Sequence, residues 1–310
     1  MIDKHFTHND FDGIGCAILS TISFGNVDVE YCANSEINSA VEAYLNEHPN
    51  ATCYITDISV CDELAARIDA NTAGWKLFDH HPTALHLNKY SWCKVEVNDA
   101  NGVKTSGTMM YYNWLVDHGY LCRTTALDAF VEIVRDYDTW RWTDSASRYG
   151  VKCKYVNDLL DLYGRDDFIK WVSDQSIYND HSRFPRFDDG DLAVLRMNQK
   201  LIDNYIAEKE QQMVRLVCFC MPCGVVFVDK YINDVGNTIC KMHPEIDFII
   251  LVDAGRKTMS FRTVKDHIDL GKDVAMKFGG GGHPKAAGAS FSEMTQAKMI
   301  AAILNNSEVK

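Results

Sequence analysis

The sequence predicts an α/β fold in two lobes. Residues 1–185 should form a parallel sheet with helices on both faces, and residues 186–310 a smaller α/β domain. Three observations lead there. Short β-prone runs alternate with apolar stripes of helical period through the first part of the chain, the order of a parallel sheet. A polar stretch at 179–191, carrying Pro185 and Gly190, interrupts that pattern as a linker. Charge divides at the same place: residues 1–185 hold 15 basic and 27 acidic side chains, whereas residues 186–310 hold 16 of each.

The elements follow in order. A short strand at 5–7 runs into a polar turn, then a helix in which Ile14, Ala17, Ile18 and Ile22 recur at helical spacing. A strand at 27–31 precedes a helix capped by Ser35, with Ile37, Val41, Tyr44 and Leu45 on one face. A buried strand at 52–55 leads to a helix through Leu64, Ala65 and Ile68, and residues 75–78 form the next strand. From 106 to 175 the pattern is mostly helical, with Met109, Tyr112, Trp114 and Leu115 in one helix and Leu127, Phe130, Val131 and Val134 in another. After the linker, Val194/Leu201 and Leu195/Ile202 repeat in a long helix that Tyr205 and Ile206 extend. Strands at 225–228, 248–252 and 260–264 belong to the smaller domain.

Composition bounds the function. At 46% hydrophobic residues the 310-residue chain can bury a full core, which excludes global disorder. No apolar run approaches the roughly 20 residues that span a bilayer, and the first residues lack a secretory pattern. The 11 scattered cysteines then read as reduced thiols in a cytoplasm. A structural zinc at Cys218, Cys220 and Cys223 would need a fourth ligand. The net charge of −12 excludes the basic footprint of a long-duplex binder.

In an open parallel sheet, sites form where loops leave the carboxyl ends of the strands. His8-Asn9-Asp10-Phe11-Asp12-Gly13 follows the first strand, Asp57 the third and Asp79-His80-His81 the fourth. Alone, each has a plainer reading: a turn or helix cap, an N-cap, a solvated loop. Together, on one sheet edge, they would crowd carboxylates that repel without a counter-charge. Two divalent cations resolve this. The mixed oxygen and imidazole set suits Mn²⁺ first, with Mg²⁺ or Co²⁺ as alternatives. Such a pair would activate a bridging water for displacement at phosphorus.

Two further segments carry chemistry. In Val134-Arg135-Asp136-Tyr137-Asp138-Thr139-Trp140, either Asp136 or Asp138 could reach the metals. Tyr137, Trp140 and Trp142 could stack a base or pack in the core. The run Gly279-Gly280-Gly281-Gly282-His283-Pro284-Lys285 would bring backbone N–H groups, His283 and Lys285 to a phosphate, and it is not a Walker loop.

The ordered set of motifs resembles the DHH phosphoesterase superfamily with a DHHA1 substrate domain, over nearly the whole chain. It looks most like the nanoRNase B branch, while the short His-x-Asp-x-Asp spacing resembles the RecJ branch. The resemblance implies a Mn²⁺-dependent phosphoesterase with its site between two lobes. His8, Asp10 and Asp57 would bind one metal; Asp12, Asp57, His80 and Asp136 the other, with Asp57 bridging. Asp79 would orient His80, His81 would face the scissile phosphate, and Arg262, Gly280, Gly281, Gly282, His283 and Lys285 would hold the substrate. The Val-x-Asp context selects Asp136 over Asp138. The expected reaction is cleavage of very short single-stranded RNA, or a dinucleotide, to nucleoside monophosphates. Alternatives are a 3′-phosphoadenosine 5′-phosphate phosphatase, a linear dinucleotide hydrolase and, outside enzymes, a nucleotide-binding protein, which the intact ligand set disfavours. A homodimer is compatible with this reading; membranes and long duplex DNA are not.

Overall fold

The alternation in the first part of the chain closes into an all-parallel sheet. In the computed structural model, which describes residues 2–71, 74–179 and 181–305, the strands are β1 (Lys4–His8), β2 (Val29–Cys32), β3 (Cys53–Thr56), β4 (Lys76–Asp79) and β5 (Cys93–Val95), in the order β2-β1-β3-β4-β5. Helices α1 (Phe11–Phe24), α2 (Ile37–Glu47) and α3 (Asp62–Asn71) alternate with the first four strands. Strand side chains alternate between faces. Phe6, Ile55 and Leu77 therefore join Ile37, Val41, Leu64 and Ile68 of α2 and α3 in one core. Tyr54 and Phe78 point the other way, into a core shared with α1, α4 (Gly107–Asp117) and α5 (Thr125–Asp138). Each fully buried side chain of this kind contributes about 1.5–3 kcal/mol. Strand β5 lies outside the sequence expectations; three residues are too few to display a period.

Helices α6 (Val151–Tyr163) and α7 (Arg165–Asp174) extend the α1 layer through Val156, Leu159, Phe168 and Val172. The chain divides into two units, Met1–Leu195 and Arg196–Lys310, so the division falls later than residue 185, inside α8 (Asp189–Gln211). The cause is local. Phe184 and Leu195 are buried in the first unit's core, and Asp191 accepts hydrogen bonds from Tyr163 Oη (2.5 Å) and Trp171 Nε1 (3.1 Å). The expected linker is thus partly first-unit structure.

The second unit contains β6 (Val214–Cys218), β7 (Met221–Phe227), α9 (Ile232–Met242), β8 (Phe248–Asp253), β9 (Thr258–Arg262), β10 (Gly281–Gly282), β11 (Ala286–Ser290) and α10 (Glu293–Asn305). Its mixed sheet has the order β10-β11-β9-β8-β7-β6. Phe219 and Cys220 turn the β6–β7 hairpin with φ of 55° and 64°, as a two-residue hairpin loop requires. Cys218, Cys220 and Cys223 thus belong to a hairpin, and among the described residues none of them joins a group able to hold a metal. Among the described residues, no helix is long and apolar enough to cross a membrane.

Candidate active site

Strands β1, β3 and β4 are neighbours in the sheet and parallel, so their carboxyl ends open on one edge. His8 ends β1. Asp10 caps α1 by accepting the Gly13 N–H at 3.1 Å, and Asp12 lies in the helix's first turn. Asp57 follows β3 in the left-handed region, with φ of 59°. That conformation is uncommon for a side chain other than glycine and tolerated best by Asn and Asp. Asp79 ends β4 and delivers His80 and His81.

These side chains form two adjoining groups, and Asp57 and His80 make a third with His81. In the first, His8 Nδ1 lies 2.7 Å from Asp10 Oδ2 and 3.8 Å from Asp57 Oδ2. In the second, His80 Nε2 lies 3.2 Å from Asp57 Oδ1, 3.5 Å from Asp138 Oδ2 and 3.7 Å from Asp12 Oδ2. Asp57 stands between the two. Two of the converging atoms, Asp57 Oδ2 and His80 Nε2, are buried and make no hydrogen bond, and buried His8 Nδ1 faces the Asp10 and Asp57 carboxylates. Buried polar atoms are rarely left unsatisfied. The ligand atoms of His8, Asp10 and Asp57 all lie within 4.8 Å of one another, as do those of Asp12, His80 and Asp138. The donor chemistry and the unpaired atoms fit divalent cations.

The aspartate selected by family context is not in this cluster. Asp136 accepts from Arg135 Nε and Nη2 at 3.0 and 2.7 Å and from Ser147 Oγ at 2.7 Å. Two residues along a helix are about 200° of rotation apart, so Asp136 and Asp138 face nearly opposite directions on α5. The acid that meets His80 and Asp12 is Asp138.

Sequence reasoning also missed what holds Asp12. Its Oδ2 accepts the Gly107 N–H at 2.6 Å and its Oδ1 the Thr108 N–H at 2.9 Å. The first turn of α4 thus presents its unpaired N–H groups and positive end to the carboxylate. Gly107 is required by space as well: a Cβ there would sit 2.6 Å from Asp57 Cβ. The signal was present in Thr105-Ser106-Gly107-Thr108, where Ser106 caps the helix through the Met109 N–H.

Burial, followed by the charges of Asp12, Asp10 and Asp138, pushes the Asp57 carboxyl well above the carboxylate range. Burial with Asp12 and Asp10 does the same to Asp138. Burial lowers His80. His81 behaves oppositely: its Nδ1 is 2.7 Å from Asp79 Oδ1, and this bond raises it to about 9. Burial raises Asp79, but the His81 bond, joined by one from Ser59 Oγ, holds it below its usual value. Asp79 Oδ1 also accepts the His80 and His81 N–H groups at 2.7 and 3.2 Å, which fixes the loop. On the same strand as His8, buried His5 lies 2.8 Å from Thr56 Oγ1 and 2.9 Å from Ser20 Oγ, and burial lowers it to about 3.

The remaining expected residues lie in the second unit. Arg262 Nη2 donates to Asn233 Oδ1 at 2.6 Å. Lys285 Nζ pairs with Asp266 at 2.7 Å. Gly281 and Gly282 form β10 against β11 rather than an open loop. A Cβ on Gly280 would meet the Gly288 carbonyl oxygen at 2.0 Å, so packing accounts for that glycine. The His283 N–H donates to the Ala286 carbonyl at 2.8 Å. Tyr137 packs edge-on to Phe11 in the core, whereas Trp140 is 39% exposed.

Comparison with known proteins gives consistent relatives, although no family model matches the chain. The chain is 35% identical over 298 residues to oligoribonuclease NrnB of Bacillus subtilis, covering 93% of this chain and 72% of that protein. It is 23% identical to a 3′,5′-cyclic-nucleotide phosphodiesterase of Helicobacter pylori, covering 97% and 98% of the two chains. Among solved structures, RecJ of Thermus thermophilus in complex with Mn²⁺ is similar with a TM-score of 0.57 and 14% identity, over 96% of this chain and 50% of that one.

Proposed function

Since the chain belongs to the DHH phosphoesterases, in the branch of oligoribonuclease NrnB, we propose that it hydrolyses the phosphodiesters of very short RNA to nucleoside monophosphates. The observation that carries this reading is the convergence of the buried ligand atoms His8 Nδ1, Asp57 Oδ2 and His80 Nε2 at the sheet edge. His8, Asp10 and Asp57 would hold one divalent cation and Asp12, His80 and Asp138 the other, with Asp57 shared. When bound, such cations supply Lewis acidity for displacement at phosphorus; Mn²⁺ is our first choice.

The chain's own groups do the rest. The α4 N-terminus keeps the Asp12 carboxylate oriented. Asp79 fixes the His81 ring and keeps it protonated at neutral pH, so His81 can donate to a phosphate or leaving-group oxygen. Arg262, Gly280, Gly281, Gly282, His283 and Lys285 are proposed as phosphate contacts on the strength of the resemblance; Arg262→Gln should raise KM more than it lowers kcat.

The test is turnover of 5′-labelled ribodinucleotides to ribopentanucleotides by purified protein with Mn²⁺, Mg²⁺ or Co²⁺. 3′-Phosphoadenosine 5′-phosphate, a cyclic nucleotide and pyrophosphate serve as rivals. Preference for the shortest RNA supports the proposal. Metal binding with no turnover of any of them overturns it in favour of a nucleotide-binding protein.

A further inference from the structure

Beside the candidate centre, wholly within the first unit, lies a pocket of about 400 Å³ that reaches His81 and Asp79. Its apolar lining comes from Ile58, Val60 and Ala84, all buried, and its polar lining includes Asn34, Asn38 and His86. Among the described residues, no lysine or arginine lines it. Asp79, its only carboxylate among the described residues, is already engaged by His81, Ser59 and two backbone N–H groups. Away from His81, the pocket is therefore unsuited to a phosphate and suited to a neutral ring with polar edges.

The polar groups have spare capacity for such a ring. Asn38 Oδ1 accepts the Cys61 N–H at 2.7 Å, which leaves its amide N–H₂ to donate. His86 uses Nδ1 on the Thr83 carbonyl at 3.0 Å, which leaves Nε2. Asn34 makes no side-chain hydrogen bond among the described residues and offers both a donor and an acceptor. The volume falls in the range of small-ligand sites built on an apolar floor with a few polar groups. His81 joins the pocket to the metal-ligand cluster.

We propose that this pocket seats one nucleobase of the substrate, while His81 at its edge meets the adjoining phosphate. The inference rests on the phosphodiesterase reading above and deepens it. Asn34 and Thr83 line the pocket at exposed positions, so Asn34→Trp and Thr83→Trp fill it with little cost to folding.

Two measurements test the idea. The first is kcat/KM for a ribodinucleotide divided by kcat/KM for bis(p-nitrophenyl) phosphate, which has no base. Loss of a seated base should lower this ratio about 10- to 100-fold in either variant. An unchanged ratio overturns the pocket assignment and leaves the phosphodiesterase reading standing. A wild-type protein that turns over neither compound defeats that reading instead, and the second measurement then decides the pocket.

That measurement follows alkylation of Cys61, an exposed thiol in the pocket lining, by N-ethylmaleimide, with exposed Cys122 and Cys220 as internal controls. Nucleoside monophosphates should protect Cys61 in the wild type, and ribose 5-phosphate should not. Equal protection by ribose 5-phosphate, or none by either, overturns the proposal.

Discussion

Neutralising Asp136 and Asp138 separately should split stability from function. Asp136 is 1% exposed and accepts two hydrogen bonds from Arg135 and one from Ser147. Asp136→Asn keeps the shape but removes the charge opposite a guanidinium whose side chain is only 12% exposed. Breaking a buried ion pair costs about 3–5 kcal/mol. Glu132, 3.5 Å from Arg135 Nη2, remains as a partial counter-charge, which brings the expected loss to about 2–3 kcal/mol. Turnover per folded molecule should stay near wild type. Asp138→Asn removes one of the carboxylates crowding Asp57, so the metal-free protein should keep its stability. Its Mn²⁺ affinity should fall by at least about 10- to 100-fold, and turnover with it. Urea unfolding in chelator, calorimetric Mn²⁺ titration and dinucleotide hydrolysis read the three quantities. The reverse pattern, metal binding lost with Asp136 and kept without the Asp138 charge, would refute the assignment.

Four further outcomes follow from the geometry. Asp57→Asn, an exchange the left-handed backbone tolerates, should raise the metal-free melting temperature while abolishing the rise that Mn²⁺ produces, as scanning calorimetry can show. Gly107→Ala pushes a methyl group against Asp57; it should cost about 1–3 kcal/mol in urea unfolding and lower kcat more than it raises KM. His81 is raised to about 9, so its stabilising contribution is complete below about pH 6.5 and lost as pH rises through about 9. The kcat profile should fall over the same alkaline limb, and Asp79→Asn should move that limb to lower pH. His5 is lowered to about 3, so the unfolded chain binds a proton there first, and stability should fall as pH drops below about 6.5. The slope is about 1.4 kcal/mol per pH unit, measured by denaturation as wild type minus His5→Gln in chelator.

The sheet edge was legible because His8 and Asp79 end, and Asp57 directly follows, strands whose period or apolar run shows in the sequence. Parallel topology then brings distant motifs together without further information. The choice within α5 was not legible in the same way. Both Asp136 and Asp138 end an amphipathic helix, and only the pairing of Arg135 and Ser147 with Asp136 separates them. The hold of Gly107 and Thr108 on Asp12 was hidden for another reason: Ser106 signals where α4 begins, but nothing in the sequence ties that helix start to a carboxylate 95 residues away. The role of Gly280 and Gly282 was not legible, because a close backbone approach within a sheet and an approach to phosphate demand the same residue.

The grip of α4 on Asp12 bears on biosynthesis. A nascent chain stopped before residue 107 already carries His8, Asp10, Asp12, Asp57, His80 and His81, yet lacks the two amides that aim Asp12 and the carboxylate of Asp138. It holds most of the candidate ligands and little of their arrangement. The second cation group, which needs both Asp12 and Asp138, would therefore be complete only after α5 has left the ribosome and docked. The hydrolytic machinery would stay inert beside the cell's own RNA until the first unit is finished.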